Sequence, residues 1–157
     1  MTNVLFVCLG NICRSPMAEA IFKNLVNQQN LTDQIAVDSC ATSSEELGNP
    51  PHPGAQKVMA AHGLDYSEMH SRPITKRDFE WADYIITMDN QNVFNLRQKA
   101  PTADQAKIHL CLDILPGKHG EEIPDPWYTH RFEYTYQVLS DALPVWLTKI
   151  KQDNDLH

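Results

Sequence analysis

The chain has no long apolar run, no basic tract and few cysteines, and each absence removes a class of protein. None of its 157 residues falls in a stretch of membrane-spanning length, so no segment is expected to cross a bilayer. With 13 lysines and arginines against 20 aspartates and glutamates, the formal net charge is −7. That balance argues against nucleic acid as a partner, because nothing clusters enough positive charge to follow a phosphate backbone. Four cysteines, Cys8, Cys13, Cys40 and Cys111, without the composition of a small secreted domain, argue for reduced thiols rather than a disulfide scaffold. No pair of them has zinc-ribbon spacing and the 7 histidines are scattered, so no metal site is expected. The N-terminus carries no charged-then-apolar leader, and the expectation is a soluble cytoplasmic protein. Its length suits one domain with an ordinary core.

What is present is concentrated near the start, in Cys8-Leu9-Gly10-Asn11-Ile12-Cys13-Arg14-Ser15. Before it stands Val4-Leu5-Phe6-Val7, short, β-prone and apolar, as a buried parallel strand should be. After it, Ala18, Ile21, Phe22, Leu25 and Val26 recur at helical spacing. Ser15 reads as the N-cap of that helix and Pro16 as its first residue, where a missing N–H costs nothing. Strand, loop, helix is the order of a phosphate cradle: loop amides and a helix start point inward at an anion. The same field lowers the pKa of a thiol held there, which would make Cys8 a nucleophilic thiolate. Arg14 can hold two phosphate oxygens through its planar fork. Ser15 can also offer its hydroxyl to the Cys8 sulfur, so its two readings, helix cap and thiol donor, both stand. The chemistry implied is phosphate-ester cleavage through a phosphocysteine, with phosphate or other oxyanions as inhibitors in the loop.

Further along, strand-like and helix-like stretches alternate, the pattern of a parallel sheet covered on both faces. Strands are expected at residues 35–38, 84–88 and 108–110, with helices at 55–62 and 92–97. Thr75 with Asp78 has capping-box spacing ahead of a helix carrying Phe79 and Trp81. Residues 40–53 and 113–129 read as irregular loops, the latter leading into a helix with Phe132, Tyr136, Leu139, Leu143, Trp146, Leu147 and Ile150 on its inner stripe. Pro144 lies in that stripe and predicts a kink or restart near residues 140–143.

The motif at Cys8 is joined, in order, by Asp38-Ser39-Cys40-Ala41-Thr42-Ser43, Gly48-Asn49-Pro50-Pro51, Ser71-Arg72-Pro73-Ile74-Thr75, Asp83-Tyr84-Ile85-Ile86-Thr87-Met88-Asp89 and Pro124-Asp125-Pro126-Trp127-Tyr128. Over nearly its whole length the chain resembles the low-molecular-weight protein tyrosine phosphatases. The resemblance implies a flavodoxin-like α/β fold: a doubly wound, four-stranded parallel sheet of order 2-1-3-4 with helices on both faces, residues 1–157 forming a single phosphatase domain. It implies hydrolysis of phosphotyrosine and small aryl phosphates, tyrosine-phosphorylated proteins as partners, and no cofactor. The oligomeric state is left open.

The resemblance also assigns roles residue by residue. Asp125 occupies the place of the general acid and base, although the residues alone read it as a turn aspartate between two prolines. Leu9, Gly10, Asn11, Ile12, Cys13 and Ser15 would line or form the phosphate loop. Asn11 tolerates the left-handed backbone a tight loop needs, and its amide would tie the loop to Ser39. Cys13 matches a thiol that can form a reversible disulfide with the nucleophile; its other reading is a small apolar residue facing the core. Cys40 and Cys111, at strand ends, read as core residues. Trp127 and Tyr128 would wall a slot deep enough for a phenyl ring, with core packing as their alternative. Glu45 stands on the facing wall, where the family commonly has an aromatic or large apolar side chain. A histidine of the family's loop network does not map here, His70 being displaced by one place.

Two rivals share the fold. An arsenate reductase needs two further cysteines after the third strand, and residues 88–97 contain none. Phosphoarginine phosphatases typically carry threonine where this chain has Ile12, a side chain that suits an aromatic ester better than a guanidino group.

Overall fold

Val4, Leu5, Phe6 and Val7 are fully buried, so this strand must be covered on both faces and flanked on both edges. The computed structural model describes residues 1–157 and places it so. Thr2–Cys8 (β1) pairs in parallel with Ile35–Ala41 (β2) on one edge and with Tyr84–Thr87 (β3) on the other, and Ile108–Leu110 (β4) completes the sheet. The strand order is β2-β1-β3-β4, the flavodoxin-like arrangement. Alternate residues of β1 feed opposite cores. Val4, Phe6 and Cys8 face a large core with Arg14–Gln28 (α1), Pro53–Ala61 (α2) and the long C-terminal helix; Leu5 and Val7 face a smaller one with Phe79 and Leu96. Those two residues belong to Lys76–Trp81 (α3) and Asn90–Lys99 (α4). Cys40 and Cys111 are both fully buried, one in each core.

The expected capping box is present: the Thr75 hydroxyl accepts from the Asp78 N–H and the Asp78 carboxylate accepts from the Thr75 N–H. Three expectations change. Helix α1 begins at Arg14, with Cys13 rather than Ser15 at the N-cap position, and no side chain caps it. Ser15 is drawn into the first turn because its hydroxyl is engaged with Cys8 and Asn11. Within the expected loop at 113–129, Pro126–Thr129 forms a single-turn helix (α5), capped by Asp125. The final helix, Phe132–Asn154 (α6), runs through Pro144 without restarting. Pro144 lies on its exposed side, where water can satisfy the carbonyl that loses its intrahelical partner. No helix is long and apolar enough to cross a membrane.

The order of strands reverses at β1, and in open α/β sheets the crevice at such a point, beyond the carboxyl ends of the strands, is where ligands bind. Cys8 is the last residue of that strand.

Candidate active site

From Cys8 the chain curls back through a loop that ends at the start of α1. Asn11 makes the turn possible, adopting φ of 56°, in the left-handed region that asparagine tolerates better than most side chains. Its amide then holds the loop from behind, donating to Ser15 Oγ at 2.8 Å and Ser39 Oγ at 3.0 Å, while its Oδ1 accepts from the Arg72 N–H at 3.3 Å. Ser39 passes the chain on, donating to Glu19 Oε1 at 2.6 Å, and Glu19 pairs with Lys23. Ser71 Oγ donates to the Gly10 carbonyl at 2.7 Å. Two groups converge on the Cys8 sulfur: Ser15 Oγ at 3.1 Å and the Ser15 N–H at 3.4 Å. His70 is exposed and takes no part.

Arg14 is 2% exposed and is the largest fully buried side chain. Its Nη1 donates to Asp89 Oδ2 at 2.7 Å and to the Ile123 carbonyl at 2.8 Å, and its Nη2 lies 3.5 Å from Asp125 Oδ2. Burial works against its charge, but Cys8, Asp125 and Asp89 outweigh that and raise its pKa above the ordinary value. Its Nε is buried with no partner among the protein's own groups, where buried donors are usually paired. The pinned Nη1 fixes the plane of the guanidinium and leaves the Nε–Nη2 edge for another acceptor.

In front of the loop is a cavity of about 140 Å³. Cys8, Leu9, Gly10, Ile12 and Cys13 form its floor, Ser43, Glu45 and Glu46 one side, and Asp125, Trp127 and Tyr128 the other. Asp125 caps α5 through Oδ1, which accepts the Trp127 N–H at 3.0 Å. Trp127 and Tyr128 are 49% and 73% exposed, so they are wall residues rather than core packing. Asn11, Ser15 and Ser39 do not line this cavity but stand behind the loop, whereas Arg14, also absent from its lining, reaches its edge at Asp125. A second cavity, about 620 Å³, opens on the far side of the network, against Asn11 and Ser39.

Burial pushes the Cys13 thiol up, and its neighbours Cys8, Asp125 and Glu46 push it further, against Arg14. Burial alone takes Cys111 up to about 12 despite the nearby Trp146. At Asp78 burial is outweighed by bonds from Arg72 and Thr75, which hold the carboxyl below its ordinary 3.8.

Several contributors were not singled out from the sequence. Asp89 both caps α4, through Oδ1 to the Asn92 N–H, and holds Arg14 through Oδ2. An acid at the end of a strand beside the switch point was the available signal. Glu19, Glu46 and the Ile123 carbonyl carried none, since each depends on how distant segments meet.

Residues 3–156 match the family described as low molecular weight phosphotyrosine protein phosphatase. The human low molecular weight phosphotyrosine protein phosphatase is 47% identical over 151 residues, 94% of each chain. YfkJ of Bacillus subtilis, named a low molecular weight protein-tyrosine-phosphatase, is 38% identical over 99% of this chain and 100% of that one. Its crystal structure superposes with a TM-score of 0.93, covering 98% of this chain and 96% of the other. A Drosophila arginine phosphatase is 36% identical with a TM-score of 0.88, covering 96% and 98%.

Proposed function

The chain belongs to the low molecular weight phosphotyrosine protein phosphatase family, and on that premise we propose that it hydrolyses phosphotyrosine in proteins and small aryl phosphates. The observation that carries this reading is the buried Arg14 with an unpartnered Nε, reaching Asp125 beside a loop whose first residue is a thiol with two groups converging on its sulfur. A phosphoryl group over Cys8 would accept from the Nε–Nη2 edge and from the loop amides, and would remove the cost of leaving that donor buried and unpaired.

In the first step the Cys8 thiolate attacks phosphorus, an S–P bond forms and the P–O bond to the tyrosyl oxygen breaks. Asp125, as the carboxylic acid, gives that oxygen its proton, so tyrosine leaves neutral. In the second step the Asp125 carboxylate takes a proton from water, the hydroxide oxygen attacks phosphorus, and the S–P bond breaks. Inorganic phosphate leaves and the sulfur recovers its electron pair, eased by the Ser15 hydroxyl. Trp127 and Tyr128 flank the aryl ring, and Glu45 and Glu46 face them. Residues 1–157 act as one phosphatase domain in the cytoplasm.

A second reading is a phosphoarginine substrate, favoured by the two glutamates opposite aromatic walls, a setting that suits a guanidinium. Ile12 on the cavity floor favours the aryl ester instead. Comparing kcat/KM for phosphotyrosine, phosphoserine and phosphoarginine peptides and an aryl phosphate decides between them. Phosphotyrosine and the aryl phosphate are expected to lead. A lead for phosphoarginine would reassign the substrate, and inactivity on all would overturn the phosphatase reading.

A further inference from the structure

His52 lies at the meeting point of the phosphate loop and the aromatic wall, and the proposed mechanism gives it no part. It is the last residue before α2 and caps that helix: its Nδ1 accepts the Gly54 N–H at 3.0 Å, so the ring proton is on Nε2. Its backbone N–H donates to the Ile12 carbonyl at 2.8 Å, tying it to the cavity floor. Its ring stacks on Phe132, with centroids 4.9 Å apart at 22°, and meets Trp127 edge-on at 5.5 Å and 84°. Phe132 reaches this position by lying directly on Gly54: a Cβ there would come within 2.4 Å of the ring. Trp127 has little else to hold it, being half exposed on a single-turn helix.

We infer that His52 is a positioning residue, whose ring sets the separation between the phosphate loop and the wall formed by Trp127 and, through the Trp127 N–H, the Asp125 carboxylate. Resting on the phosphatase reading above, this assigns the ring to substrate fit and proton delivery, and the Nδ1 acceptor to the start of α2. The two duties are separable. Asparagine keeps a short acceptor suited to a helix cap and removes the ring, whereas phenylalanine keeps a ring and removes the acceptor.

The test compares wild type, His52→Asn and His52→Phe by steady-state kinetics, vanadate inhibition, melting temperature and the Trp127 indole NMR signal. His52→Asn is expected to raise KM for phosphotyrosine peptide by about three- to tenfold, the size of one lost aromatic pair. It should also lower kcat more for phosphotyrosine than for an activated aryl ester, shift the Trp127 signal, and leave vanadate inhibition and melting near wild type. His52→Phe should recover most of the KM loss while melting lower. Wild-type KM, leaving-group dependence and Trp127 signal in His52→Asn would overturn the inference. So would weakened vanadate binding in proportion to the KM change, which would mean that His52 merely supports the loop. A wild-type protein without turnover fails the phosphatase reading instead, and the Trp127 signal still reports whether the ring positions the wall.

Discussion

The two sides of the phosphate loop are built on opposite plans. Behind it, Asn11, Ser15, Ser39 and Glu19 are each at most 6% exposed and joined by successive hydrogen bonds. In front, Glu45, Trp127 and Tyr128 are exposed and held by few contacts. A buried polar network is costly unless fully satisfied, and once satisfied it fixes one geometry. An exposed wall pays little for change. On the proposed mechanism, the contrast assigns handling of the phosphoryl group to the buried side and the choice of what is attached to it to the open one.

The sharpest way to break this comparison is at the loop itself. Cys8→Ser should abolish turnover, a loss of at least about 10⁴-fold, and Arg14→Ala should cripple both turnover and vanadate binding. Full activity in Cys8→Ser would remove the nucleophile from the scheme. Next, Asp125→Ala should slow phosphotyrosine by roughly 10²- to 10³-fold and an activated aryl ester far less, because a good leaving group needs little protonation. A loss independent of leaving-group pKa would make Asp125 a structural residue.

The buried side should behave differently. Asn11→Ala or Ser39→Ala strands polar partners, so about 1–3 kcal/mol of stability should be lost. Turnover should fall by a similar factor for every substrate, whatever its leaving group. A substrate-selective loss would show that the two sides are not separate.

Cys13 stands on the boundary, lining the cavity yet 3% exposed. Burial above all, and then the charge on Cys8, keep it protonated; oxidation of Cys8 to a neutral sulfenic acid removes the second of these while Arg14 remains. The Cys13 thiol would then displace water from the sulfenic acid and form the disulfide. After mild peroxide, mass spectrometry should find Cys8–Cys13, and Cys13→Ser should regain less activity in reductant. Equal recovery would return Cys13 to a packing role. The smallest effect belongs to the exposed wall: Glu45→Lys should lower KM for acidic phosphotyrosine peptides by less than about fivefold, under about 1 kcal/mol, fading with salt. No change at low salt would place Glu45 outside the substrate path.

What was legible in the sequence follows the same division. The run Val4 to Val7, the eight-residue loop and the Thr75–Asp78 box are local signals, and local physics is enough to read them. The start of α1 was misplaced because Ser15 suits both a helix cap and a bond to Cys8, and the sequence alone does not say that the second, with Asn11, claims its hydroxyl. Of the kink or restart expected near Pro144, the restart does not occur, because a sequence does not say which face of a helix meets water. Glu46 and His52 were missed because each matters through a neighbour that is remote in the chain, whereas Asp89 had a local signal, an acid at a strand end.

Arg14 also bears on how the molecule comes into being. Its Nη1 bonds reach across 75 residues to Asp89 and 109 to Ile123. Such separations impose a heavy loop-closure entropy, and contacts of this range tend to form late. A nascent chain that has folded only its first strand and helix therefore carries the thiol and the loop without the anchors for its arginine. If the site works as proposed, competence to bind phosphate would arrive only with the last third of the polypeptide, delaying reactivity at Cys8 until the fold around it is complete.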